Sequence, residues 1–119
     1  MLLPPNTLYF LIPSEFSHDF ISYFHCLTII NIIQVVIYSK SYCPYCDTTK
    51  QLFQTKFPDL IPHVIELNEI SDGSAIQSTL ASMTGQRTVP SVWVNGNHVG
   101  GNDDTHSLFR SGQLTEMLK

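Results

Sequence analysis

The chain has 119 residues, a length that favours one domain. Hydrophobic residues make up 43% of it and charged residues 13%, a composition that argues against a disordered chain. The ten acidic residues outnumber the six basic ones, so the net charge of −4 disfavours a nucleic-acid partner, and three cysteines are too few for a disulfide-dense secreted scaffold.

Residues 1–33 form an apolar extension whose role the sequence leaves open. The stretch from Phe20 to Tyr38 contains no Asp, Glu, Lys or Arg, and its length approaches that of a membrane span. A membrane anchor or signal sequence is disfavoured because no positive residue flanks this stretch before Lys40.

A second interpretation is a helix over Ser14–Cys26 that lies on the domain, and a third is a segment outside any evolved domain. The helix would have one aromatic stripe, formed by Phe16, Phe20, Tyr23 and Phe24. We expect Cys26 to be an inert core residue.

Residues 34–119 alternate strand and helix patterns in the order β-α-β-α-β-β-α. The run 34–39 is rich in β-branched residues without clean alternation, which is typical of a central strand covered on both faces. Asn95-Gly96 is a two-residue hairpin signal, and Gly112 indicates where the last long helix stops. The predicted strands are 34–39, 63–67, 91–94 and 97–100, and the predicted helices begin near Pro44, at Ser74 with a capping box to Gln77, and after an Asn102 or Asp103 cap.

A pair of cysteines, Cys43-Pro44-Tyr45-Cys46, lies between the first strand and the first helix of this domain. A thiol reacts as its thiolate, which the N-terminus of a helix and the nearby Lys40 cation favour. Cys46 is one turn further on and can close a disulfide with Cys43, so this context indicates redox chemistry. A zinc site would need a second pair of ligands, and the five histidines show no metal-binding spacing.

Three motifs occur in an order that resembles the dithiol glutaredoxins. They are Cys43-Pro44-Tyr45-Cys46 after a strand, Thr88-Val89-Pro90 before another strand, and Gly100-Gly101 before an acidic helix start. The resemblance covers residues 34–119 and implies an α/β thioredoxin fold, with a four-stranded mixed sheet flanked by helices. Thioredoxins usually carry Gly-Pro between the two cysteines, and monothiol glutaredoxins usually lack the second one.

The resemblance also implies roles for individual residues. Cys43 would be the nucleophile and Cys46 the resolving thiol. The implied glutathione contacts fall into four groups. Tyr45 would lie beside the glutathionyl sulfur, and the glycine carboxylate would be held by Lys40, Gln77 and Arg87. The cysteine of the tripeptide would lie along Thr88, Val89 and a cis Pro90, and the γ-glutamyl carboxylate would be bound by Gly101, Asn102, Asp103 and Asp104. Other roles stay open: Gln77 as the capping partner of Ser74, Lys40 and Arg87 as surface charges, and Thr88 and Pro90 as a simple turn. Many members have Ser where Asp103 stands, and this charge would lie beside the γ-glutamyl carboxylate.

The function that the resemblance implies is a glutathione-dependent thiol–disulfide oxidoreductase. Its expected cosubstrate is glutathione, with no metal, and its expected partners are glutathionylated or disulfide-containing proteins. We expect a cytoplasmic monomer without nucleic-acid or membrane partners, unless residues 20–38 act as a signal anchor. The alternatives are a thioredoxin-like disulfide reductase and a carrier in which Cys43 and glutathione from two chains hold a [2Fe–2S] cluster.

Overall fold

A computed structural model describes residues 18–119, which fold into a four-stranded sheet with helices on both faces. The helices are α1 (His18–Ile32), α2 (Pro44–Lys56), α3 (Gly73–Thr84), α4 (Asn102–Ser111) and α5 (Gln113–Met117). The strands are β1 (Val35–Ser39), β2 (His63–Glu66), β3 (Ser91–Val94) and β4 (Asn97–Gly100), and a 3₁₀ turn covers Leu67–Glu69.

The sheet is mixed, and its strand order is β2-β1-β3-β4. β1 runs parallel to β2 and antiparallel to β3, so Val36 has His63 on one side and Trp93 on the other. All five residues of β1 are buried, which confirms the predicted central strand. The hairpin at Asn95-Gly96 is also confirmed, because both residues have positive φ angles and Val94 pairs with Asn97 across the turn.

Each face of the sheet has its own apolar cluster. α1 and α3 cover the first face, where the buried residues are Cys26, Ile29, Ile30, Val36, Tyr38, Leu67, Ile76, Leu80 and Trp93. α2 and α5 cover the second face, where the buried residues are Val35, Ile37, Leu52, Phe53, Val92, Val94 and Leu114. Cys26 is 0% exposed, as expected of a core residue.

The helix predicted over Ser14–Cys26 differs from α1, which continues to Ile32. Ser14 lies outside the described residues, as does Phe16 of the predicted stripe. The predicted aromatic stripe is not the face of α1 that packs on the sheet, because Tyr23 and Phe24 are 44% and 37% exposed. Cys26, Ile29 and Ile30 point into the core instead. Apolar residues occur on every side of α1, so residue spacing alone does not select the face that packs. Within residues 18–119, no helix has the length and apolar character to cross a membrane.

Two predicted helix starts also need correction. α3 begins at Gly73 after Asp72, and Ser74 forms no capping box with Gln77. The Gln77 side-chain amide instead donates a hydrogen bond of 3.1 Å to the carbonyl of Arg87. α4 is capped by Gly101, whereas Asn102 or Asp103 was expected. The reason is that the Asp104 carboxylate reaches back to the Gly101 N–H at 3.2 Å. The domain boundary predicted at residue 34 stays a prediction, although α1 lies before it and contributes to the core.

Candidate active site

Cys43 occupies the N-cap position of α2, at the point where the loop after β1 turns into the helix. Its backbone is extended (φ −92°, ψ 116°), and its N–H donates to the carbonyl of Lys40 at 3.0 Å. The Cys46 N–H donates to Cys43 Sγ at 3.4 Å, so a free donor of the first turn faces the sulfur. Pro44 occupies the first helical turn, where a missing N–H costs no hydrogen bond. Cys43 Sγ is half-buried. It lies at the N-terminal end of α2, where the helix dipole favours a negative charge.

Cys46 lies one turn deeper in α2 and is 0% exposed. Burial, followed by a hydrogen bond with the Cys43 side chain, raises the pKa of its thiol to about 11. Both thiols of the pair are free in this structure. The two cysteines therefore differ in accessibility: Cys43 is placed as an accessible nucleophile, and Cys46 as a protected thiol.

The loop before β3 lies against the Cys43 thiol. The peptide bond between Val89 and Pro90 is cis, as the resemblance implied. The Cys43 thiol donates to the Val89 carbonyl at 3.9 Å. Gln86 fixes this loop, because its amide nitrogen donates to the carbonyls of Thr88 and Pro90 at 2.9 and 2.7 Å.

A cavity of about 660 Å³ opens next to this loop. Eight of the predicted glutathione contacts line it: Tyr45, Thr88, Val89, Pro90, Gly101, Asn102, Asp103 and Asp104. At its α4 end, the Asn102 side chain accepts a hydrogen bond of 2.9 Å from the buried hydroxyl of Thr49 on α2. This bond ties the N-terminus of α4 to the middle of α2, so the thiol and the far end of the cavity are held by connected elements.

Three predicted contacts, Lys40, Gln77 and Arg87, do not line the cavity. Arg87 is exposed, and its carbonyl accepts the hydrogen bond from Gln77. Lys40 is half-buried in the loop before Cys43, where its carbonyl anchors the Cys43 N–H. Their place at the glycine carboxylate of glutathione stays a prediction. Among residues 18–119, no three His, Cys, Asp or Glu side chains converge as metal ligands.

Sequence reasoning missed Gln86 and His98, which both line the cavity. His98 Nε2 lies 2.9 Å from Gln86 Oε1, and its ring centroid lies 4.9 Å from that of Trp93. Burial lowers the pKa of His98, while the Asp104 carboxylate raises it by a smaller amount. The two-residue hairpin could have predicted that His98 faces Trp93, whereas no local signal marks Gln86 as the residue that fixes the loop.

Comparison with known proteins settles the family. The glutaredoxin family model matches residues 35–99, which is more than half of the chain. The chain belongs to the glutaredoxin family. Glutaredoxin-C2 of Arabidopsis thaliana is 50% identical over 93 residues, which cover 76% of this chain and 79% of that glutaredoxin. Glutaredoxin-C4 of the same plant is 48% identical over 85 residues, covering 71% of this chain but only 62% of that longer protein.

Solved glutaredoxins share the fold. The crystal structure of the buckwheat glutaredoxin–glutathione complex is similar with a TM-score of 0.81 and 39% identity, covering 89% of this chain and 94% of that one. The four-stranded mixed sheet flanked by helices is therefore the thioredoxin-type fold of glutaredoxins, as the resemblance implied. Glutaredoxins are oxidoreductases that act with glutathione, so the thiol pair and its cavity are the candidate active site.

Proposed function

We propose that this chain is a dithiol glutaredoxin, which uses glutathione to reduce protein–glutathione mixed disulfides and protein disulfides. The observation that carries the proposal is the unequal placement of the two thiols. Cys43 is half-buried at the start of α2 beside the cavity, and Cys46 is buried one turn deeper. This arrangement suits a nucleophile followed by a resolving thiol.

The cavity is the proposed glutathione site. A related buckwheat glutaredoxin was solved as a glutathione complex, which supports this assignment. The cysteine of glutathione would lie along Val89 with its sulfur near Cys43, and Tyr45 would flank that sulfur. The γ-glutamyl carboxylate would lie at the N-terminus of α4. Because the Gly101 N–H already donates to Asp104, the N–H groups of the next two residues would receive that carboxylate.

In the proposed monothiol route, the Cys43 thiolate attacks the glutathione sulfur of a protein–glutathione mixed disulfide. One S–S bond forms between Cys43 and glutathione, and the protein thiolate leaves and takes a proton from water. A second glutathione thiolate then attacks the glutathione sulfur on Cys43. Oxidised glutathione leaves, and Cys43 returns to its thiolate form.

In the proposed dithiol route, the Cys43 thiolate attacks a protein disulfide and holds one half of it as a mixed disulfide. Cys46 then attacks Cys43 Sγ, which releases the protein substrate and closes the Cys43–Cys46 disulfide. The Cys46 backbone N–H donates to Cys43 Sγ at 3.4 Å, so the two residues are held next to each other across one helix turn. Two glutathione molecules reduce the disulfide again.

The test is reduction of a glutathione–mercaptoethanol mixed disulfide, coupled to glutathione reductase and NADPH. We expect turnover by the wild-type chain, none by Cys43→Ser, and much of the wild-type rate by Cys46→Ser. Replacement of glutathione and its reductase by thioredoxin reductase should give no turnover. Equal loss in the two variants would contradict the monothiol route, and turnover with thioredoxin reductase alone would favour the thioredoxin-like alternative.

The proposal includes a cellular setting and an assembly state. A dithiol whose reductant is glutathione works where glutathione is kept reduced, so we propose a cytoplasmic location. We propose that the protein acts as a monomer, because both thiols and the cavity belong to one chain.

A further inference from the structure

The Gln86 side chain joins the loop before β3 to the neighbouring strand β4. Its amide nitrogen donates to the carbonyls of Thr88 and Pro90 at 2.9 and 2.7 Å. Its amide oxygen lies 2.9 Å from His98 Nε2 on β4. The residue between the two carbonyls is Val89, along which the cysteine of glutathione is proposed to lie. Gln86 therefore holds the loop on both sides of the Val89 backbone.

The hydrogen-bond partners determine which way the Gln86 amide faces. Backbone carbonyls only accept, so the amide nitrogen must point to the loop and the amide oxygen to His98. His98 Nε2 therefore carries a proton and donates it to the amide oxygen. The His98 ring is held in turn against Trp93, with 4.9 Å between the two ring centroids. Because both donors and the acceptor of the amide are engaged, the side chain and the loop that it holds keep one orientation.

Gln86 is itself anchored to α3. Its backbone N–H donates to the Thr84 hydroxyl at 3.0 Å, and that hydroxyl donates to the Leu80 carbonyl of α3 at 2.7 Å. A Cβ atom on Gly101 would lie 3.7 Å from the Gln86 amide nitrogen, so the side chain also lies next to the N-terminus of α4. Gln86 thus connects α3, the loop and β4 beside both ends of the proposed glutathione site.

We infer that Gln86, held in place by His98, is a positioning residue that makes the site selective for disulfides that contain glutathione. The inference rests on the proposed function, in which the tripeptide pairs with the Val89 backbone in the manner of an added strand. Peptide groups that are fixed before the ligand arrives bind it more tightly, because ordering them on binding would cost conformational entropy. The Cys43 thiol, by contrast, is placed by the start of α2. Loss of the Gln86 amide should therefore weaken the reaction with glutathione disulfides and spare the reaction with other disulfides.

The experiment compares two disulfides that release the same yellow thionitrobenzoate when the Cys43 thiolate attacks them. One is dithiobis(nitrobenzoate), and the other is the mixed disulfide of glutathione and thionitrobenzoate. With the mixed disulfide, the thiolate attacks the glutathione sulfur, a new S–S bond joins Cys43 to glutathione, and thionitrobenzoate leaves with the electron pair. Stopped flow with the full chain gives the second-order rate constant of the first release for each disulfide. The ratio of the two rate constants measures the selectivity for glutathione.

Gln86→Met keeps the length of the side chain and removes its hydrogen bonds. We expect its rate constant with the glutathione disulfide to fall by about tenfold, which corresponds to ~1.4 kcal/mol. Its rate constant with dithiobis(nitrobenzoate) should stay unchanged, whereas damage to the fold or to the thiol would lower both. Gln54→Met is the matched control, because it makes the same substitution at an exposed position of α2 that does not line the cavity. It should leave both rate constants unchanged.

His98→Phe tests the second half of the pair, since it keeps a ring against Trp93 and removes the donor to Gln86. It should also lower the rate constant with the glutathione disulfide, but by less, because the amide keeps its bonds to the loop. In the double variant the loss should equal that of Gln86→Met alone, since His98 acts through Gln86.

Two results would overturn the inference. One is the wild-type ratio of rate constants in folded Gln86→Met, or in His98→Phe where the first variant does not fold, because the loop would then be positioned without this pair. The other is additive losses in the double variant, which would make His98 a separate contact of glutathione. Absence of turnover by the wild-type chain with glutathione and its reductase would instead contradict the proposed function, whatever the variants do.

Discussion

At the scale of single residues, burial separates the reactive cysteine from the other two. Cys26 and Cys46 are both 0% exposed, and burial raises the pKa of each thiol to about 11. At pH 7 each is a thiolate for about one part in 10⁴, and this fraction rises about tenfold with each pH unit. Cys43 is half-buried, and its thiol contacts the carbonyl of Val89, which lines the cavity. Reactivity with alkylating agents should follow these differences.

We predict that brief treatment with iodoacetamide at pH 7 alkylates Cys43 and spares the two buried thiols. Mass spectrometry of the intact protein should show one adduct, and three adducts after unfolding in urea. The Cys43→Ser variant should show none before unfolding. Labelling of Cys46 at a rate similar to that of Cys43 would contradict the assigned burial and pKa direction.

Asp103 is exposed in the first turn of α4, at the edge of the proposed glutathione site. A like charge ~6 Å from the γ-glutamyl carboxylate costs roughly 0.7–3 kcal/mol at an effective dielectric of ~80 to 20, and salt reduces it. Asp103→Ser should therefore lower the KM for glutathione by up to about tenfold at low salt, and less at high salt. Asp59→Ser, which removes a similar exposed charge after α2, should leave the KM unchanged. A higher KM in the Asp103 variant at every salt concentration would make Asp103 a ligand contact.

At the scale of secondary-structure elements, local signals predicted the parts of the fold that local chemistry determines. The β-branched run of β1 and the Asn95-Gly96 turn needed no long-range information. The end of α1 and its buried face could not be predicted, because apolar residues occur on every side of the helix and the partner α3 selects the face. At the site, Cys43, Cys46, Val89 and Pro90 carry recognisable motifs. Gln86 was missed because its partners come from a cis loop and a returning strand.

The start of α3 is set by one close approach that the sequence does not show. A Cβ on Gly73 would lie 1.7 Å from the Leu67 carbonyl oxygen of the 3₁₀ turn. Gly85, at the other end of α3, has a positive φ of +82° but open space around it. Only a residue without a side chain fits at Gly73, whereas Gly85 needs a backbone conformation that other residues adopt at a cost.

We predict that Gly73→Ala lowers the free energy of unfolding by more than Gly85→Ala, whose cost should be ~1–2 kcal/mol. The backbone must shift to admit the methyl group at position 73, and this moves the turn that follows β2. Urea unfolding followed by circular dichroism measures both values. Equal losses in the two variants would mean that the 3₁₀ turn moves aside at little cost.

At the scale of the whole molecule, α1 and the thiol pair lie on different faces of the sheet. α1 packs on the face that also holds Tyr38, Ile76 and Trp93. The thiol pair begins α2, and α2 packs on the opposite face. The cavity is lined by residues after Pro44 and none from α1. Loss of packing under α1 should therefore reduce stability while the chemistry of the folded protein is kept.

Two neighbouring isoleucines of α1 test this separation. Ile30 is 2% exposed in the core under α1, and Ile32 is 37% exposed. Ile30→Ala should lower the free energy of unfolding by roughly 2–5 kcal/mol, because it removes buried methyl groups and leaves a cavity. Ile32→Ala should cost much less, since its side chain is already partly hydrated. The midpoint of thermal unfolding of Ile30→Ala should be lower than that of the wild type by several degrees for each kcal/mol lost. Both folded variants should reduce the glutathione mixed disulfide at the wild-type rate. Similar midpoints for the two variants would mean that α1 adds little to the core, and a folded but inactive Ile30→Ala would give α1 a direct part in catalysis.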